Sequence, residues 1–391
     1  MQDTNPSRLV LADMLADFRA LASANREDDQ DEVYRKLARV DNALEDMTQR
    51  ADVQLCERRK PTVTELGSVK DSSKWLHPFP FDPTYGYDLD SLLAVEPPAE
   101  PPHDFIEFWE DLHGRALEVD VRPQVGPRLP QTDHGLDVRT VSFNSLGGVR
   151  LHGWLVVPAE GMVERGLVIG HGYNGREQPD PVLPVPRAAA IFPVARGLGM
   201  PSVLPGIPAS PEGHVLHGIE SRDTYVHGGC AADVWCAATA LLELVPQTGE
   251  RLDYIGNSFG GGIGALALPW DARFHSAHLS LPSFGNHPLR ATLPCVGSGA
   301  AVRDRYMKTP EVLEVLSYFD AATAAQHLRI PVQVAPALFD PAVPPPGQFA
   351  VFNALTGPKE LHLLNAGHFY EYSSAADEYT ELLEARTRFL V

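Results

Sequence analysis

At 391 residues, with 44% hydrophobic and 21% charged positions, the chain has the length and balance of a globular protein of one large domain plus an appendage, or of two domains. A net charge of −19 with no basic stripe excludes nucleic acid and anionic membrane as main partners, because like charges repel. No stretch approaches a membrane span, and the opening MQDTNPSRLV lacks the basic and apolar regions of a secretion signal. Cys56, Cys230, Cys236 and Cys295 are too few and too scattered for a disulfide framework, so a cytoplasmic location is expected.

Residues 1–60 read as a helical N-terminal extension. Leu9, Leu11, Met14, Leu15, Phe18 and Leu21 recur at helical spacing, and Val33, Leu37, Val40, Leu44 and Met47 repeat the pattern after a polar break. Residues 61–104 form a Pro-rich connector, and its aromatics Trp75, Phe79, Phe81, Tyr85 and Tyr87 predict that it packs on a surface. From residue 105 to 391 the pattern is that of a catalytic domain. FIEFWEDLHGRALEV predicts a short amphipathic helix, and strands begin just after Arg139, with 141–143 and 149–157 flanking Gly147-Gly148 as a hairpin. Residues 166–170 predict a buried strand ending in His171-Gly172-Tyr173-Asn174-Gly175, and 188–195 a further strand that contains Pro193. A helix over 225–245, a strand over 251–256 and a helix over 258–268 follow. Short strands over 278–281, 332–338 and 361–364 and a helix over 378–391 complete the series. Alternation of buried strands and helices implies a mainly parallel, doubly wound sheet covered on both faces.

The stretch RLDYIGNSFGGGIGALAL (251–268) carries the chemistry. Gly256-Asn257-Ser258-Phe259-Gly260 fits G-x-S-x-G, where a strained strand-to-helix turn lifts a serine hydroxyl out of the sheet. The helix starts at the serine, so its N-terminal amides and partial positive charge face a developing oxyanion. Such a serine needs a base, and the base needs a carboxylate to orient it. Asp340 directly follows the apolar strand, and His368 follows the last strand with Gly367 allowing a tight bend. Ser258, His368 and Asp340 are therefore expected as nucleophile, general base and orienting acid. Asp320 and Glu371 are less well placed. Two amides should complete an oxyanion hole: that of Phe259, next to the nucleophile, and that of Tyr173 in the HGYNG loop.

Two other patterns are set aside. His214-x-x-His217 and His275-x-x-His278 lack a further ligand at metal spacing, so no metal is expected. The glycines of 260–264 have neither a Walker lysine nor a downstream ribose acid, which argues against a nucleotide site.

Several strings together resemble the acetyl xylan esterase and cephalosporin C deacetylase family of α/β-hydrolases. They are FIEFWEDL, GGVRLHGWLVVP, GHGYNG, RLDYIGNSFGGG, YFDAATAAQHLRIPVQV, LFDPAVPPPGQFAVFNALTGPKEL and the final AGH, and they span about Phe105 to Val391. The resemblance implies an α/β-hydrolase fold, a Ser258–Asp340–His368 triad and oxyanion amides from Tyr173 and Phe259. It also implies removal of small acyl groups, chiefly acetyl, from sugars and cephalosporin-like alcohols. No cofactor is needed in that family, and its members often form hexameric rings with inward-facing sites, so a homo-oligomer is expected. Asn257 and Phe259 stand where the family usually has Gly and Gln. Residues 180–229 match loosely, without the usual Asp before the Arg196-Gly197 turn, and the first hundred residues have no counterpart. The expected function is a serine esterase acting on a small-molecule ester. An acyltransferase or tailoring enzyme with the same triad is the alternative, followed by a non-catalytic binding protein of the same fold.

Overall fold

The computed structural model describes residues 75–129 and 135–391; the two helices expected before residue 58 lie outside the described residues. Eleven strands are present among them: β1 (Gln124–Arg128), β2 (Leu136–Ser145), β3 (Val149–Pro158), β4 (Arg165–Ile169), β5 (Ala188–Pro193), β6 (Leu252–Asn257), β7 (Phe274–Ser280), β8 (Val332–Ala335), β9 (Ala337–Phe339), β10 (Lys359–Leu361) and β11 (Leu364–Ala366). Nine of them form one sheet in the order β1-β2-β3-β5-β4-β6-β7-β8-β10, and β9 pairs with β11 in a small second sheet. From β5 to β10 all neighbours are parallel, while β1, β2 and β3 are an antiparallel extension.

Local sequence explains these elements. The β2–β3 hairpin turns at Gly147 and Gly148, both at positive φ, which glycine adopts without steric cost. All six residues of β5 are buried, as a central strand covered on both faces requires, and Pro193 occupies its last position, where its missing N–H matters least. The edge strand β1, which lies earlier than the expected start after Arg139, is mostly exposed and contains Pro127.

The helices that frame the site are α1 (Phe105–Leu117), α2 (Val226–Leu244), α3 (Phe259–Ala267), α4 (Ser298–Lys308), α5 (Pro345–Ala354) and α6 (Ala375–Leu390). Alternate strand residues point to opposite faces. Val168, Ile191 and Tyr254 pack with α1, α2 and α3, while Leu167, Ala190 and Ile255 pack with the end of α6. Both faces are thus covered, giving the α/β-hydrolase arrangement. None of these helices is long and apolar enough to cross a membrane.

Two expected strands require correction. The run 332–338 is broken at Pro336, which has no N–H for the ladder; β8 stays in the main sheet and β9 leaves it. The single strand expected over 361–364 is likewise two, with β10 beside β8 and β11 beside β9. Ala366 pairs with Phe339, so the residues following β9 and β11 emerge side by side.

Candidate active site

β6 ends at Asn257 and α3 begins at Phe259, which leaves Ser258 alone at the turn, with φ 53° and ψ −111°. A non-glycine residue adopts this conformation only where its surroundings impose it. The Ser258 N–H donates to the Ser280 carbonyl (2.8 Å), and its own carbonyl accepts from Gly262 and Ser283. Gly260 permits the close crossing of α3 and the HGYNG loop. Its N–H donates to the His171 carbonyl (2.9 Å), and a Cβ there would lie 2.9 Å from that same oxygen.

His368, on the loop after β11, also has positive φ (49°), and its side chain is 26% exposed. Its Nε2 lies 2.9 Å from the Ser258 hydroxyl and its Nδ1 2.8 Å from Asp340 Oδ2. In the neutral imidazole that network assigns Nδ1–H as donor to the carboxylate and leaves Nε2 to accept from Ser258. Burial pulls the His368 pKa down, but the charge of Asp340 and its hydrogen bond outweigh this and hold it above the ordinary 6.5. Gly367 is obligatory beside them, since a Cβ would run into the Asp340 carboxylate.

Asp340 is fully buried, so its carboxylate must be satisfied internally. Oδ1 accepts from the amides of Ala342 and Val343 (both 2.9 Å), and Oδ2 accepts from Gln348 Nε2 (2.9 Å) as well as from His368. Gln348, on α5, also binds the Val343 carbonyl and the Ala337 amide, tying the acid loop to β9. Sequence reasoning missed Gln348, because nothing in a helical glutamine marks it as the second support of a carboxylate.

The HGYNG loop comes over Phe259 from β4. His171 is buried; its Nε2 accepts from the Ala195 amide (3.0 Å), so Nδ1 carries the proton and donates to the Gly172 carbonyl (2.6 Å). Burial lowers its pKa to about 4, which keeps it neutral and the loop pinned. The rings of Tyr173 and Phe259 pack at 4.5 Å, so the two residues expected to offer oxyanion amides are neighbours. His214 Nε2 donates to the Arg196 carbonyl, leaving Nδ1 to accept from the Tyr173 hydroxyl (3.2 Å). His227 Nε2 then donates to the same oxygen (3.2 Å). Behind this network the buried Arg196 pairs with Asp233 of α2 (2.6 Å) and with Ser145 Oγ, another arrangement that sequence spacing could not reveal.

The connector residues described here reach the same loops. The Asp340 N–H donates to the Pro83 carbonyl (3.0 Å), Leu92 is buried against Leu338 and Phe349, and Trp75 packs on Phe339, Phe369 and Tyr372. Of the set-aside histidines, His278 is bonded to Gln333 and Ser280, and His275 to the Arg273 carbonyl. Among the described residues no three His, Cys, Asp or Glu side chains are grouped so that they could hold a metal ion.

A parallel sheet, an elbow serine after its central strand and a histidine and aspartate joined to it define an α/β-hydrolase. The chain belongs to the acetyl xylan esterase (AXE1) family of carboxylic ester hydrolases, whose model matches residues 84–383. Acetyl esterase Axe7A of Xylanibacter ruminicola is 23% identical over 175 residues, 44% of this chain. The match spans only 38% of that relative's length. Among solved structures, an acetyl xylan esterase from Paenibacillus sp. R4 is 23% identical with a TM-score of 0.66, covering 76% of this chain and 99% of that one. Acetyl xylan esterase 1 from Thermoanaerobacterium sp. JW/SL YS485 is 18% identical with a TM-score of 0.67, covering 80% and 100%. At these identities the structural likeness is one of fold.

Gly260→Ala tests the close crossing at the elbow. The added methyl meets backbone, which moves less easily than a side chain, so a loss of about 1–3 kcal/mol is expected. A lowered denaturation midpoint with unchanged m-value is the expected reading, and an unchanged midpoint contradicts it.

Proposed function

We propose that this chain is a serine esterase that removes a small acyl group, O-acetyl above all, from a sugar or soluble metabolite through an acyl-enzyme. The observation that carries the reading is the unbroken hydrogen-bonded chain from the Ser258 hydroxyl through His368 to the buried Asp340. Ser258 Oγ attacks the ester carbonyl carbon while its proton passes to His368 Nε2. Asp340 fixes the imidazole tautomer and stabilises the imidazolium. The oxyanion is held by the amides of Phe259 and Tyr173, with the α3 N-terminus adding its dipole. When the tetrahedral species collapses, the carbon–oxygen bond breaks and His368 returns the proton to the departing alkoxide. A water activated by the same histidine then adds to the acyl-enzyme, releasing the carboxylic acid and restoring Ser258.

The aromatic wall of Tyr173, Phe259 and Phe284 on the oxyanion side favours a short acyl group. No step requires a cofactor. We further propose a cytoplasmic homo-oligomer with 105–391 as its catalytic unit, the location supported by the free thiols of Cys230, Cys236 and Cys295.

Hydrolysis of p-nitrophenyl esters from acetyl to octanoyl tests the reading. Turnover should be fastest for acetyl, decline with chain length, and fall about 10⁴-fold or more in Ser258→Ala. Absence of turnover for every ester contradicts it. The pH profile supplies a separate test. His368 must be neutral to act as base and its pKa is raised, so kcat/KM should fall with acid along a limb centred above 6.5. Asp340→Asn removes the charge that raises it, so that limb should move to lower pH as the rate drops.

A further inference from the structure

A cavity of about 450 Å³ opens between α6 and the ends of β4, β6 and β7, within the range of small-molecule sites. His368 and Asn257, which flank Ser258 in space and in sequence, line it, whereas Ser258 itself, Tyr173 and Phe259 do not. On the proposed mechanism, which this inference rests on, that asymmetry sorts the two halves of an ester. The carbonyl oxygen lies with the amides of Tyr173 and Phe259. The departing oxygen takes its proton from His368, and the cavity is reached past His368 and not past those amides.

The charged groups that face this cavity besides His368 are Arg176, Arg386, Asp180 and Glu378. Glu378 is fully engaged: one oxygen accepts from the Asn365 amide and side chain, the other from the Tyr372 hydroxyl. Asp180 is paired with Arg176 Nη1 (2.5 Å), while Arg176 Nε is buried without a partner. Arg386 presents the clearer vacancy. Its Nε is buried and unbonded, and among the described residues its guanidinium forms no ion pair, although it shares a face of α6 with Tyr379, Leu382 and Leu383. Burial pulls its pKa below the usual arginine range, with Asp180 opposing and Arg176 adding to the effect. A half-buried guanidinium that faces an open cavity and has free donors is built for a planar or tetrahedral oxyanion.

We propose that the cavity is the subsite for the alcohol half of the substrate, and that Arg386, assisted by Arg176, binds an anionic oxygen group, carboxylate or phosphate, carried on that half. Asn257 lies in the same cavity, one residue before the nucleophile, where its amide meets the substrate's hydroxyls.

Calorimetric binding of D-glucuronate, glucose 6-phosphate and glucose to the full chain tests this without requiring turnover. At least one anion should bind about tenfold or more tightly than glucose and weaken with added salt, and which one does so identifies the group. Arg386→Gln should remove the difference, and Arg386→Lys should restore part of it, keeping the charge without the fork. Arg176→Gln provides a second variant should Arg386→Gln not fold. In kinetics, the ratio of kcat/KM for an acetylated uronic acid to that for its neutral acetylated sugar should fall about tenfold in Arg386→Gln. Equal binding of all three probes, or anion binding undiminished in both variants, overturns the subsite. If the anion binds selectively but no ester is cleaved, the esterase reading fails and the subsite stands.

Discussion

The site depends on the pairing of two three-residue strands, β9 and β11, outside the main sheet. Pro336 interrupts the first run and the chain reverses its partner after Leu361, so both strands step away from β8 and β10 together. Their register places Phe339 opposite Ala366, which brings the loops that carry Asp340 and His368 out at the same edge. The β8–β10 pairing in the main sheet sets the same register, and β9 and β11 carry it out to Asp340 and His368. A bond of 2.8 Å joins those two side chains.

Much of the surrounding structure serves to make this arrangement affordable. A buried carboxylate is costly unless it is bonded on every side, and Asp340 receives two amides, the Gln348 side chain and His368. Positive φ at Ser258 and His368 stores strain at the two residues that meet. At Ser258 it is held by the residue's own N–H on the Ser280 carbonyl and by its carbonyl, which accepts from Gly262 and Ser283. Tyr173, proposed as an oxyanion donor, is fixed through its hydroxyl between two neutral histidines. Burial lowers the His214 pKa to about 4 and pulls that of His227 well below its ordinary value, so neither adds a charge near Ser258.

The parts that are local in sequence were legible from it. Gly256 to Gly260 announces a turn, the strands before it alternate or run apolar, and Asp340 and His368 each follow an apolar run, so the order of the three residues could be read directly. What could not be read depends on contacts between distant segments. Gln348 is an ordinary helical residue until β9 comes beside it, and Arg196 and Asp233 meet only because β5 and α2 are adjacent. The split of 332–338 was marked by Pro336, yet only the position of β11 shows where the second piece goes. Arg386 lies in the helix expected over 378–391, and that it faces a cavity shared with Arg176 and Asp180 depends on how α6 packs against the strand ends.

On the proposed mechanism Ser258 carries the acyl group between substrate and water. Acid quenching during turnover of p-nitrophenyl acetate, followed by peptide mass spectrometry, tests it most directly. An acetyl group is expected on the peptide containing Ser258, absent from Ser258→Ala along with turnover. Ester cleavage that persists in Ser258→Ala, with acetyl on another residue or on none, would contradict it.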